Sequence, residues 1–460
     1  MNQTVDQLLA TDRAHFMHPS THAHDHATGA LPGTIVTGGE GVRIHTHDGR
    51  TLIDAFAGLY CVNIGYGRTE VADAMHKQAT ALAYYHTYVG HSSEAIIELS
   101  DRVIRWSPPG MKKVYYGMSG SDANETQIKL VWYYHNVLGK PEKKKIISRD
   151  RGYHGSGLMT GSMTGLPGFH QCFDLPFDRV KHTICPHWYR LAPEGMNEAD
   201  FAQYCAQKLE EMILAEGPDT VAAFIAEPVM GTGGLITPPV GYWEAIQQVL
   251  RKYDILLIAD EVVCAFGRLG SPMGSHHYGI APDLITTAKG LTSAYAPLSA
   301  VIVGERVWDV IDRGSRELGP MGHGWTYSGH PVCAAAALAN LDILERENIT
   351  ANAAEIGAYL QQRMHATFDA HPLVGEVRGE GMLLGLEFMA DRAGRTPFDA
   401  ALKVGPKVSA EALKRGMIAR AMPNGDILGF APPLVATRED IDAIVAITKE
   451  AVDAVASEVL

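Results

Sequence analysis

Ile255-Leu256-Leu257-Ile258-Ala259-Asp260-Glu261-Val262 is the stretch on which the fold turns. Five apolar residues in a row, with no polar alternation, describe a strand covered on both faces, as in a parallel sheet flanked by helices. The run delivers a carboxylate at its C-terminal end, where open α/β sheets bind their ligands. An acid there either caps the next turn or pairs with a cation.

Similar runs recur at residues 113–116, 145–148, 221–226, 284–287 and 298–303, with helical patterns between them. Residues 122–138 put Ile128, Val131, Trp132 and His135 on one stripe, and residues 242–253 do the same with Ile246, Val249 and Leu250. This alternation predicts an α/β domain. Before about residue 69, short alternating strands fall around 41–55; beyond about 336, long helices accompany a glycine-punctuated strand at 374–388. The ends are expected to form a smaller α+β layer, dividing the chain into 1–69, 70–335 and 336–460. There is no internal repeat or low-complexity linker.

Of 460 residues, 46% are hydrophobic and 20% charged, ordinary for a globular chain of two or three domains. Lys and Arg total 39 against 52 Asp and Glu, a net charge of -13. Such a surface repels phosphate backbones and anionic membranes, so neither nucleic acid nor membrane is an expected partner. The alanine-rich run 332–341 is half the roughly 20 residues that a membrane span needs. No basic region or small-residue cleavage site marks the first residues, and the six cysteines are scattered, so mature, cytoplasmic protein with free thiols is expected.

Strand 284–287 runs into Ala288-Lys289-Gly290, placing a lysine just outside the sheet 29 residues after Asp260, about one βα crossover. Both residues can then face one crevice, although a solvated turn also reads Lys-Gly. Tyr115-Tyr116-Gly117-Met118-Ser119-Gly120-Ser121-Asp122-Ala123-Asn124 opens a strand through Gly and Ser into a helix. N–H groups at such a start bind phosphate, and Ser119 with Asp122 equally fits a capping box. No G-x-x-x-x-G-K-[ST] occurs, and Gly231-Thr232-Gly233-Gly234 lacks the G-x-G-x-x-G spacing, which removes the usual support for ATP or NAD. Thr286-x-x-Lys289 has Thr where a serine-lysine acyl-enzyme needs Ser, and no K-T-G follows. A phosphate cup, a carboxylate for a ring nitrogen and a lysine for an aldehyde together suit pyridoxal 5′-phosphate (PLP).

Over about residues 32–435 the chain resembles the class III (ω-amino acid) aminotransferases of the fold type I PLP enzymes. The resemblance is carried, in order, by Gly58-Leu-Tyr-Cys-Val-Asn-Ile-Gly-Tyr-Gly67, Ser119-Gly-Ser-Asp-Ala-Asn124, Gly152-Tyr-His-Gly155, Asp260-Glu-Val262, Lys289-Gly290 and Thr326-Tyr-Ser-Gly-His-Pro331. It implies a large domain with a mostly parallel seven-stranded sheet and a smaller α+β domain built from both chain ends. It implies that Lys289 forms the internal aldimine and shuttles protons while Asp260 keeps the pyridine nitrogen protonated. Gly120 and Ser121 resemble the phosphate cup, Tyr153 beside His154 the aromatic lid on one ring face, and Val262 the packing on the other. Glu227 and Arg420 resemble the substrate-side pair, with Arg420 gripping a carboxylate bidentately. Tyr60 and Tyr88 align with the pocket wall; Tyr60 stands where members acting on bulky amines with pyruvate often carry Trp, which leaves the accepted amine open. Thr326 is expected to reach the cofactor phosphate of a neighbouring subunit, making the enzyme a homodimer.

The activity so implied is ping-pong transfer of an amino group from an ω-amino acid or primary amine to a 2-oxo acid. Pyruvate is expected from the resemblance of residues 58–67 to amine–pyruvate enzymes. A 2-oxoglutarate-dependent aminotransferase, or decarboxylase, racemase or aminomutase chemistry, are the alternatives. His22, His24 and His26 would share one side of an extended segment; with no fold signal beside them they read as a polar leading segment, and no metal site is expected. His18-Pro19 is expected near the pocket mouth.

Overall fold

The computed structural model describes residues 4–31 and 33–460; Pro32, where the family resemblance begins, lies outside the described residues. Seven strands form the central sheet in the order Met111–Gly117, Ser299–Gly304, Leu284–Thr287, Leu256–Asp260, Val221–Ala226, Lys145–Arg149 and Val180–Thr183. Ser299–Gly304 runs antiparallel to both its neighbours and the remaining pairings are parallel. Two reversals cancel, so Met111–Gly117 ends at the same edge as the parallel strands. Gly117, Thr287, Asp260, Ala226 and Arg149 therefore terminate side by side, and whatever follows them is delivered to one crevice.

Every residue of Val221–Ala226 and Leu256–Asp260 is buried, as their unbroken apolar character requires. Val180–Thr183 is missing from the runs that the apolar pattern picks out, because Lys181 and His182 interrupt it and an edge strand needs less burial. Helix Gly120–Val137 starts two residues before the expected stripe, since Ser119 is its N-cap in a capping box with Asp122.

Both chain ends enter one small sheet. Val36–Glu40, Arg43–Thr46 and Thr51–Asp54 pair antiparallel, and Met417–Ile418 joins in parallel with Met417 opposite Ile53. The stretch 374–388 is two strands rather than the single one expected. Val374–Glu380 and Leu383–Phe388 fold back on each other and continue into Ile427–Phe430 and Arg420–Ala421. The chain reverses at Gly381, whose φ is 54° and where a Cβ would lie 2.6 Å from the Leu269 Cα, so glycine alone fits. The segment expected to be extended around His22 to His26 instead forms helix Ala23–Thr28, so the three histidines do not share a side through alternation. No helix among the described residues is long and apolar enough to cross a membrane, and all six cysteines are free.

Candidate active site

At the common strand edge lies a cavity of about 490 Å³, and nine of the twelve residues singled out from the sequence line it. Asp260 enters as the last residue of its strand and is 3% exposed. A carboxylate so buried requires donors, and it has three: Asn124 Nδ2 at 2.8 Å and His154 Nδ1 at 2.9 Å to Oδ2, and the Val262 N–H at 3.2 Å to Oδ1. Thr286 Oγ1 in turn donates to Asn124 Oδ1 at 2.7 Å, which fixes the amide so that its N–H₂ faces Asp260. Asn124 and Thr286 are the residues that sequence reasoning passes over. Asn124 was legible in principle, because it follows Gly120 by one helical turn and so shares its face.

Lys289 follows Leu284–Thr287 and lines the same cavity, its Nζ 5.0 Å from the centroid of the Tyr60 ring. Burial pulls its amine below the usual lysine range, against the Asp260 and Glu227 carboxylates and with some help from Arg420. Its φ is 42°, the left-handed region, and Tyr60 has φ 63°. Strained non-glycine residues of this kind cost about 1–3 kcal/mol each and gather at functional sites.

On the opposite flank, the Asp122 carboxylate takes the N–H groups of Met118 (2.8 Å) and Ser119 (3.0 Å). The N–H groups of Gly120 and Ser121 have no acceptor within the helix, and both residues line the cavity. Gly120 is needed for close approach: a Cβ there would sit 2.9 Å from Val262 Cγ2. Tyr153 meets the Phe169 ring edge-on at 5.5 Å, and its hydroxyl lies 3.2 Å from Ser156 Oγ.

Glu227 and Arg420, read as the substrate-side pair, both line the cavity, and they are not bonded to each other. The Glu227 oxygens already accept the N–H groups of Tyr153 (3.0 Å) and Gly231 (2.7 Å), and burial raises its carboxyl above the ordinary range. The Arg420 guanidinium lies 5.6 Å from the Phe56 ring centroid and makes no ion pair among the described residues.

Three residues are placed elsewhere. Tyr60 is buried beneath Lys289 rather than in the cavity lining, a position its neighbour Leu59 takes. Tyr88 is 45% exposed beside Gly324, and Thr326 is exposed with its carbonyl accepting the Tyr84 hydroxyl at 2.6 Å. One copy of the chain does not bring either into its own cavity. Pro19, by contrast, lines it together with Ser20.

A mostly parallel-sheet enzyme with a strained, half-buried lysine and a triply held carboxylate at one strand edge has the architecture of a fold type I PLP transferase. The aminotransferase class-III family profile matches residues 24–452. A diaminobutyrate–2-oxoglutarate transaminase of Halomonas elongata is 64% identical over 98% of this chain and 97% of its own. Among solved structures, one from directed evolution of transaminases by ancestral reconstruction is 78% identical with a TM-score of 0.98, covering 99% of this chain and 100% of that one. The ω-transaminase of Pseudomonas jessenii in complex with PMP is 43% identical with a TM-score of 0.95, covering 98% and 99%. The chain belongs to the class III aminotransferases, and is a PLP-dependent transaminase acting on an amine and an oxo acid.

The residues present fit that cofactor. Two free N–H groups at a helix start suit its phosphate, an oriented carboxylate suits its ring nitrogen, and a lysine amine with lowered pKa suits its aldehyde.

Proposed function

We propose that this transaminase moves the amino group of an ω-amino acid or primary amine to pyruvate, by a ping-pong route, as a cytoplasmic homodimer. In this reading Gly120 and Ser121 hold the PLP phosphate, Tyr153 covers one ring face and Val262 the other, and His154 and Asn124 keep Asp260 aimed at the ring nitrogen. When bound, PLP draws electrons from the carbon bearing the substrate nitrogen and makes its proton acidic. The Lys289 amine, whose pKa burial lowers, is the group that takes this proton and returns it. Glu227 holds the Tyr153 and Gly231 backbone, and so supports the wall facing the substrate.

The observation that carries the choice of pyruvate is Arg420. It is the one arginine among the described residues lining the cavity, and it is not engaged by an internal carboxylate. One guanidinium holds one carboxylate bidentately, which suits a monocarboxylic oxo acid and leaves amines without a carboxylate unpenalised. A second reading has 2-oxoglutarate as acceptor, favoured by the 64% identity to a relative named for that substrate. The test is the second half-reaction, with purified enzyme first charged by an amine donor. Rapid discharge by pyruvate with stoichiometric alanine supports the proposal, and a strong preference for 2-oxoglutarate overturns it. Lys289→Ala should lose both turnover and the visible absorbance of the holoenzyme.

A further inference from the structure

We propose that Asp12, His18 and His26 form a binding site for one divalent transition-metal ion of the zinc class, which pins the leading segment against the active-site cavity. The three come from different pieces of chain: helix Val5–His15, the turn after it, and helix Ala23–Thr28. Their ligand atoms converge, each within 4.8 Å of the others. His18 Nε2 lies 3.0 Å from Asp12 Oδ1, and His26 Nε2 lies 2.9 Å from Asp12 Oδ2. The two imidazoles sit 4.4 Å apart with their planes tilted by 57°, both turning Nε2 to the Asp12 carboxylate. Two imidazole nitrogens and a carboxylate oxygen are a donor set that zinc accepts, with water completing the shell.

The spacing suits an ion. Metal–ligand bonds of about 2.0–2.1 Å in a tetrahedron separate ligand atoms by roughly 3.3 Å, close to the 3.0 and 2.9 Å that separate the two imidazole nitrogens from the Asp12 oxygens. The other convergent set, His187, Glu376 and Glu387, differs in kind. There the Arg378 guanidinium bonds both carboxylates and already takes the place of a cation.

The position gives the site a consequence. His18 is followed directly by Pro19 and Ser20, which line the catalytic cavity. Helix Val5–His15 buries none of its residues, so little besides this cluster ties it down. An ion joining Asp12 and His26 to His18 fixes that wall.

The test uses untagged holoenzyme, stripped with a chelator and dialysed against Zn²⁺ or Co²⁺. The expected result is one equivalent retained per chain, with Co²⁺ giving the visible bands of a four-coordinate complex. Asp12→Asn and His26→Gln should each lose that equivalent, while the double variant His22→Gln/His24→Gln keeps it. An unchanged thermal transition shows that the variants are folded; helix Val5–His15 buries no residue, so Asp12→Asn is expected to meet this condition even if His26→Gln, at a buried position, does not. Failure of the parent enzyme to retain an ion overturns the proposal, as does equal retention by Asp12→Asn and His26→Gln, or loss in the His22/His24 variant.

Discussion

Asn124 shows how much a single amide can decide. It donates to Asp260 and is itself fixed by Thr286, so its side chain sets the direction of the one carboxylate at the head of the site. A hydrogen bond to a charged group is worth about 1.5–3 kcal/mol. Asn124→Ala should therefore lower kcat/KM by roughly ten- to hundredfold, read in steady-state assays. Lys289 gives a second outcome. In its proposed role the free amine reacts with the cofactor aldehyde, and burial lowers its pKa. PLP uptake by the apoprotein should accelerate as pH rises, with its midpoint below the 10.5 of an ordinary lysine. Arg420 is the third. Arg420→Leu should raise the KM of pyruvate by roughly ten- to hundredfold, through loss of charge-assisted bonds. The half-reaction with a carboxylate-free amine should change little, and comparing the two half-reactions separates a grip on carboxylate from a general defect.

Among the elements, the strands that carry the site were legible because each catalytic candidate follows an unbroken apolar run: Asp260, Glu227 and Lys289 are all announced by the strand before them. The role of Thr286 was not, since it depends on which strand lies beside which helix, and sheet order is not written in local pattern; Asn124 could be placed on the Gly120 face by helical spacing, but not against Asp260. The hairpin at 374–388 escaped for another reason. Leu383–Phe388 is buried throughout, so no polar alternation marked the reversal. Within that hairpin the buried Arg378 bonds Glu376 and Glu387 and donates Nε to the Gly234 carbonyl at 3.0 Å, bracing the loop that contains the Gly231 N–H. Burial alone would raise the Glu376 carboxyl, but the Arg378 charge and His187 override it and hold it at about 2. A carboxyl bound more weakly by protons in the folded than in the unfolded chain adds stability above about pH 4.5 and loses it as pH falls towards 2. Arg378→Met strands two buried carboxylates and should cost about 3–5 kcal/mol in denaturant unfolding at neutral pH. The deficit should shrink below pH 4.5.

At the scale of the molecule, the exposed aromatic surface is the feature that one chain leaves unexplained. Tyr85, Tyr88 and Tyr327 are each about half exposed, and Val89 is 92% exposed. The segments that carry them are knitted together, Tyr84 to the Thr326 carbonyl and Thr87 to the Ser328 carbonyl at 3.1 Å. Apolar residues gathered in one exposed patch suit the interface of the proposed homodimer, and a two-fold dimer would carry Thr326 away from its own cavity towards the partner's. This arrangement makes a prediction that no single-chain role for Thr326 shares. A carboxylate at this position should repel a cofactor phosphate, so Thr326→Asp homodimers should retain PLP poorly, and Lys289→Ala homodimers lack the essential amine. Mixed dimers of the two variants contain one cavity with an intact Lys289 and with Thr326 supplied by the other subunit. Co-purified through two different tags, they should regain transaminase activity that neither parent shows. If Thr326 served its own chain's cavity instead, each mixed dimer would hold two defective sites and the mixture would stay inactive.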